Sequence, residues 1–165
     1  MRYCLLPLQS QLFSFDKCYS MRLLRPINAV SEPFVILTAF YFLTSLGHFA
    51  HNAQFICEYP NLPAWLTPWK VMAVWVAITL VGVVGFSLMA LRWVVCGLLL
   101  VAAYAALGFD GLGHYAVAPM AFHTLGANVT ILSEVVAAAL LLTWTLFAAY
   151  RDLSRRLFVC KRSLT

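Results

Sequence analysis

Residues 68–91, PWKVMAVWVAITLVGVVGFSLMAL, decide the fold. Lys70, close to the start, is the only charge in the stretch. About 20 mostly apolar residues cross a bilayer as a helix, and this run meets that length. Thr67 stands at the N-cap position and Pro68 at the first helical position, where its missing N–H costs nothing. A helix at the surface of a soluble protein would need a polar stripe, and this one has none.

Three further stretches read the same way: residues 33–52, led by Ser31 as N-cap with Pro33 in the first turn; residues 92–109; and residues 123–150. The second and third meet in a very tight turn at Arg92. The whole chain of 165 residues is 63% hydrophobic and 10% charged, where a soluble chain averages about 25% charged. Its mean hydropathy is +0.86. The expectation is an all-α integral membrane protein, a four-transmembrane-helix bundle over residues 31–152, with no room for a second globular domain. Residues 1–30 form a tail without the apolar core and cleavage site of a signal peptide, and Met21 is an alternative start. Residues 153–165 form a basic tail.

The net charge of +5 sits at the ends of the spans rather than on one soluble face, which excludes nucleic acid as a partner. Arg2, Lys17, Arg22 and Arg25 precede the first span, Arg92 joins the second to the third, and Arg151, Arg155, Arg156, Lys161 and Arg162 follow the fourth. By the positive-inside rule that side is cytoplasmic, and both termini lie there. Lys70 reaches the opposite interface by extending its stem. The short chain and compact loops point to a bacterial inner membrane, with the lipid bilayer as the first partner and a membrane-protein partner or a second copy as others. Five scattered cysteines without a CxxC pair argue against both a disulfide framework and a zinc knot.

The outer side carries two loops. In the first, residues 53–67, Pro60 and Pro63 break regular helix, and Tyr59, Trp65 and Trp69 suit an interfacial aromatic belt. In the second, Gly108, Gly111, Gly113 and Pro119 are read as breakers. All four histidines, His48, His51, His114 and His123, fall on this side, together with Glu58, Asp110 and Glu134.

At about 100° per residue, Tyr41, Thr44, Ser45, His48, His51 and Asn52 share one face of the first helix. His123, Ala127, Thr130, Glu134, Ala137, Ala138, Leu141 and Thr145 share one face of the fourth, which places Glu134 roughly 16 Å below His123. The small residues of that face suit close helix packing, so both faces are expected to look into the bundle. A carboxylate as deep as Glu134 is costly and is paired, protonated or functional.

The leading expectation is an extracytoplasmic His/Asp/Glu pocket that binds a transition metal for redox chemistry or metal handling. His48 and His51 (spaced i, i+3), Asp110 with His114 on one helical turn, and His123 supply ligands that suit copper, zinc or iron. Glu58, Glu134, Asn128, Tyr41 and Asn52 line the pocket or orient the ligands. Haem held by His48 or His51 with His123 is a weaker fit, since a second deep pair is missing. No serine or cysteine stands in a nucleophile setting. One alternative is a binding or transport protein for a small apolar molecule, oriented by Glu134 and Asn128. Another is a structural subunit of a membrane complex. On a purely structural reading, the histidines bond loop carbonyls and Glu134 bonds Tyr41, Ser45 or Tyr104.

The Asp110–xxx–His114 spacing, followed by His123, resembles the Asp/His/His copper motif in the C subunit of copper membrane monooxygenases, whose second histidine lies farther along. That resemblance implies copper. The four-span plan, with Glu58, Glu134, Tyr41 and Trp65, is similar to the sterol-isomerase and sigma-2-receptor group, which implies an apolar ligand cavity.

Overall fold

The computed structural model of the protein describes the backbone of residues 31–162 and side chains through residue 155. The N-terminal tail, the alternative start at Met21 and the basic residues before the first span lie outside the described residues. The described residues contain helices and no strand. Four of the helical segments are long and apolar enough to cross a membrane.

Helix α1 spans Glu32–Gln54. Ser31 is extended at its N-cap, but its hydroxyl makes no capping bond, so Pro33 and the backbone alone start the helix. Helix α2 spans Pro68–Ala90, and here the expected cap forms: the Thr67 hydroxyl accepts from Lys70 N at 3.4 Å. The Lys70 amine turns back to the Trp65 carbonyl at 2.8 Å, over the Trp65 ring. Helix α3 spans Val94–Leu107.

Arg92 makes the tight turn possible. It sits in the left-handed region at φ 69°. Trp93 N bonds Leu88 O at 2.8 Å and Arg92 N bonds Met89 O at 3.1 Å, so two backbone donors satisfy carbonyls at the end of α2. This is a Schellman closure, with arginine where glycine is usual.

The second loop departs from expectation. Its glycines do not break the chain into coil. A 3-10 turn at Gly108–Leu112 leads into the short helix α4, Gly113–Val117, so the third apolar span extends over Val94–Val117. Gly108 is there for close approach. A Cβ on it would lie 2.6 Å from the Tyr41 ring and 2.7 Å from the Ala138 Cβ. The last helix, α5, runs from Leu125 to Arg162, and its first 31 residues, Leu125–Arg155, form the fourth apolar span. His123 precedes that helix in extended backbone, so the depth of Glu134 cannot be counted along one continuous helix from His123.

All of the expected site residues belong to one compact unit, Val30–Phe147. Within it, α1 touches each of the other long helices. Phe34 meets Phe86 and Phe42 meets Trp75 on α2, at ring distances of 5.3 and 5.4 Å. Tyr41 meets Tyr104 on α3 at 4.7 Å, with its hydroxyl donating to the Tyr104 carbonyl at 3.1 Å. The inward face read from the sequence is the buried one: Tyr41, Ser45, His48 and Asn52 on α1, with Ala127, Glu134, Ala137, Ala138, Leu141 and Thr145 on α5.

The strain at Arg92 is testable. Arg92→Gly should raise the thermal midpoint in detergent by removing about 1 kcal/mol of left-handed cost, and Arg92→Val should lower it. Equal midpoints for wild type and both variants would mean that helix packing, not the turn, sets this hairpin.

Candidate functional site

The site begins with the stripe on α1. Burying it forces Ser45, His48 and Asn52 to find partners on α5 and in the second loop. His48 Nε2 lies 3.8 Å from Glu134 Oε2, with side chains only 3% and 2% exposed. Ser45 lies beside Glu134, but its hydroxyl closes no hydrogen bond. Lys70 is no counter-ion for this carboxyl, because its amine is held at the Trp65 carbonyl.

Tyr59 is the residue that sequence reasoning misplaced. It is not part of an interfacial belt. It is 3% exposed, packed on Ala127 and Ile131 of α5 with Leu62 and Tyr115 around it. Trp65 and Trp69, at 65% and 77% exposed, remain outside as expected. The Tyr59 ring stands among all four histidines, at ring-centre distances of 6.5 Å to His48, 5.9 Å to His51, 4.9 Å to His114 and 6.2 Å to His123. Its hydroxyl is 2.9 Å from His51 Nδ1. Burial pushes the Tyr59 phenol above its ordinary value, so it stays neutral and keeps its proton for hydrogen bonding. No spacing rule finds such a residue. The available signal was a tyrosine fixed between Glu58 and Pro60 in the loop that follows His48 and His51.

The remaining histidines close the ring. His114 lies 5.4 Å from His48 and 6.1 Å from His123, centre to centre. Asn52 Nδ2 donates to His114 Nε2 at 3.3 Å, which leaves the proton of a neutral His114 on Nδ1. His123 is buried against Tyr115, at 5.4 Å, and neither of its ring nitrogens has a protein partner. Asn128 pins the segment that carries it. Its amide donates to Met120 O at 3.2 Å and His123 O at 3.4 Å, while its oxygen accepts from Tyr115 at 3.0 Å. Asn128 is therefore a clamp on residues 118–124 rather than a group open to a ligand.

Two expected carboxylates stay at the edge of the cluster, within electrostatic reach of it but open to the surface. Asp110 and Glu58 are both exposed. Asp110 lies in the 3-10 turn, where residues advance by about 120° each, so the four-residue spacing to His114 no longer gives a shared face. Among the described residues, no three His, Cys, Asp or Glu side chains are placed to hold one metal ion. Tyr41 is engaged with Tyr104 on α3 and not with Glu134.

The buried atoms without a protein partner include Ser45 Oγ, His48 Nδ1, Asn52 Oδ1, Glu134 Oε2 and both nitrogens of His123. The three oxygens are acceptors or acceptor-capable, and no lysine or arginine faces them in the contacts above. The arrangement is suited to holding and passing a proton, or to taking a species that donates.

No family model, no curated protein and no solved structure matches the chain. The likenesses to copper membrane monooxygenases and to the sterol-isomerase group therefore bring no site residues to it.

Because Gly108 seats both Tyr41 and Ala138, Gly108→Ala should destabilise the protein by about 1–3 kcal/mol through overpacking. Thermal unfolding in detergent reads this directly, and an unchanged midpoint would show that the α1–α3–α5 contact can widen freely.

Proposed function

We propose that the protein is a multi-pass membrane protein whose working part is a buried proton-binding pair, Glu134 and His48, serving proton-coupled transport or a membrane redox step. The observation that carries this reading is the pair itself: an imidazole and a carboxyl 3.8 Å apart, almost fully buried between two apolar helices. A carboxylate in such surroundings must be paired or protonated. Burial disfavours charge on either group, so the pair holds a proton on the carboxyl or shares it with the imidazole. The pair therefore has one species that it can gain and lose at low cost, a proton, and acidic and histidine chains in membrane helices serve as proton relays elsewhere.

The distribution of Lys and Arg supports a topology with both termini in the cytoplasm and the histidine end outside, in a bacterial inner membrane. The pair then exchanges its proton with the extracytoplasmic side.

Infrared difference spectroscopy across a pH titration tests the reading. Wild type should show a protonated-carboxyl band that changes with pH, absent in Glu134→Gln and displaced in His48→Gln. A band indifferent to pH, or one that survives Glu134→Gln, overturns it.

A second reading keeps the transition metal. It is favoured by His123, whose two ring nitrogens are buried without partners 6.1 Å from the His114 ring, centre to centre. It requires these rings to turn toward one another. Metal analysis of purified wild type beside the His48→Ala/His123→Ala double variant decides. A stoichiometric metal lost in the double variant establishes this reading, and no metal after reloading removes it.

A further inference from the structure

We infer that Tyr59 and His51 form the outlet of the Glu134–His48 site, with His51 Nε2 as the group that meets the outer solution past Gly126. The inference rests on the proton reading above and names the route that reading leaves open.

Three observations place the outlet here. First, the Tyr59 hydroxyl is 2.9 Å from His51 Nδ1, the shortest hydrogen bond between side chains among the four histidines and their neighbours. The Thr130 hydroxyl lies near the same phenol. That hydroxyl donates to its own helix, to Gly126 O and Ala127 O, so toward Tyr59 it serves as an acceptor. The phenol can donate to Thr130 while accepting from His51, or donate to His51. The phenol relays a proton without becoming charged when it accepts the Nδ1 proton of His51 as it gives its own inward, toward His48 Nδ1, a buried nitrogen without a protein partner.

Second, His51 is half-buried, whereas His48 is sealed. Of the two histidines on this face of α1, His51 is the one with access to solvent. Third, the atom of His51 remote from Tyr59 faces a glycine. A Cβ on Gly126 would lie 2.8 Å from His51 Nε2, closer than real Cβ atoms approach. Gly126 therefore leaves room for the second nitrogen of His51 against the first turn of α5, at an exposed position of that helix. Protonation at Nε2 and release at Nδ1 passes one proton inward and leaves the imidazole as its Nε2–H tautomer, which a turn of the ring resets.

The inner step runs from Tyr59 to His48, whose rings are 6.5 Å apart, beside His114, whose ring is 5.4 Å from His48 and 4.9 Å from Tyr59. The titratable groups that face this route are His48 and His51 from α1, Glu58 beside Tyr59, Asp110 and His114 from the second loop, Tyr115 from α4, His123 before α5, and Glu134 from α5.

The experiment uses the full chain in vesicles, with the outer pH stepped by rapid mixing and the Glu134 carboxyl band followed in time. Tyr59→Phe keeps the ring and removes the hydroxyl. It should slow the response by about a hundredfold or more, the low end of what a positioned proton carrier contributes, with the same final amplitude. Gly126→Ala should slow it as well, and Gly47→Ala, at an exposed position on the same helix as His51 with no neighbour near its Cβ, should respond as wild type does. Wild-type rates in Tyr59→Phe overturn the outlet and leave the proton reading standing. If Tyr59→Phe does not fold, His51→Asn answers the same question by the same criterion. A wild-type band that never responds to pH overturns the proton reading itself, and the outlet with it.

Discussion

The structure is organised around one cost, that of carrying a carboxyl into the interior of an apolar helical bundle. Glu134 is 1% exposed. An unpaired charge in such a place costs several kcal/mol even after relaxation, far more than any one packing contact returns. The rest of the polar pattern follows. α1 turns Ser45, His48 and Asn52 inward, and α5 keeps small residues below Glu134 so that the two helices can approach. In hydrocarbon, apolar side chains gain little by leaving lipid for one another, so small residues and polar contacts decide which faces meet.

The second consequence is that the site is built mostly by helix ends and the loops between them. His48 and His51 lie near the end of α1, His123 just before α5, and His114 in the short helix that caps the third span. Tyr59 arrives from the loop that follows α1 and fills the space among them. A phenol suits that place because its ring satisfies packing while its single hydroxyl reaches a hydrogen-bond partner. Asn61 Nδ2 then donates to Val117 O at 3.3 Å, and Asn128 clamps residues 118–124, so the two loops close over the histidines as one cover.

The helices were legible in the sequence because long apolar runs bounded by cap, proline and turn residues leave little choice but helix. The inward faces of α1 and α5 were legible because few polar residues in an apolar helix leave little choice of orientation. Turn chemistry was partly legible: Thr67 caps as its position predicts, and Arg92 does mark the tight turn. The glycines of the second loop were misread. Gly108 looks the same in sequence whether it ends a helix or admits a neighbour, and only the position of Tyr41 and Ala138 tells which. Asp110 was assigned by α-helical spacing, which fails once the segment tightens to 3-10. The inward place of Tyr59 was not legible from periodicity, which says nothing about a residue in a proline-flanked loop.

The packing also fixes where a change at the pair has to be felt. α2 and α3 are joined by a closed turn and do not contribute to the Glu134–His48 contact. α1 and α5 do, and they meet there through polar groups that lack other partners. Adding or removing a proton alters the attraction between His48 and Glu134 and so the contact between these two helices, while the α2–α3 hairpin keeps its own backbone bonds. Tyr41 ties α1 to Tyr104 one helical turn before Ser45. The cover formed by the two loops sits on the histidine end.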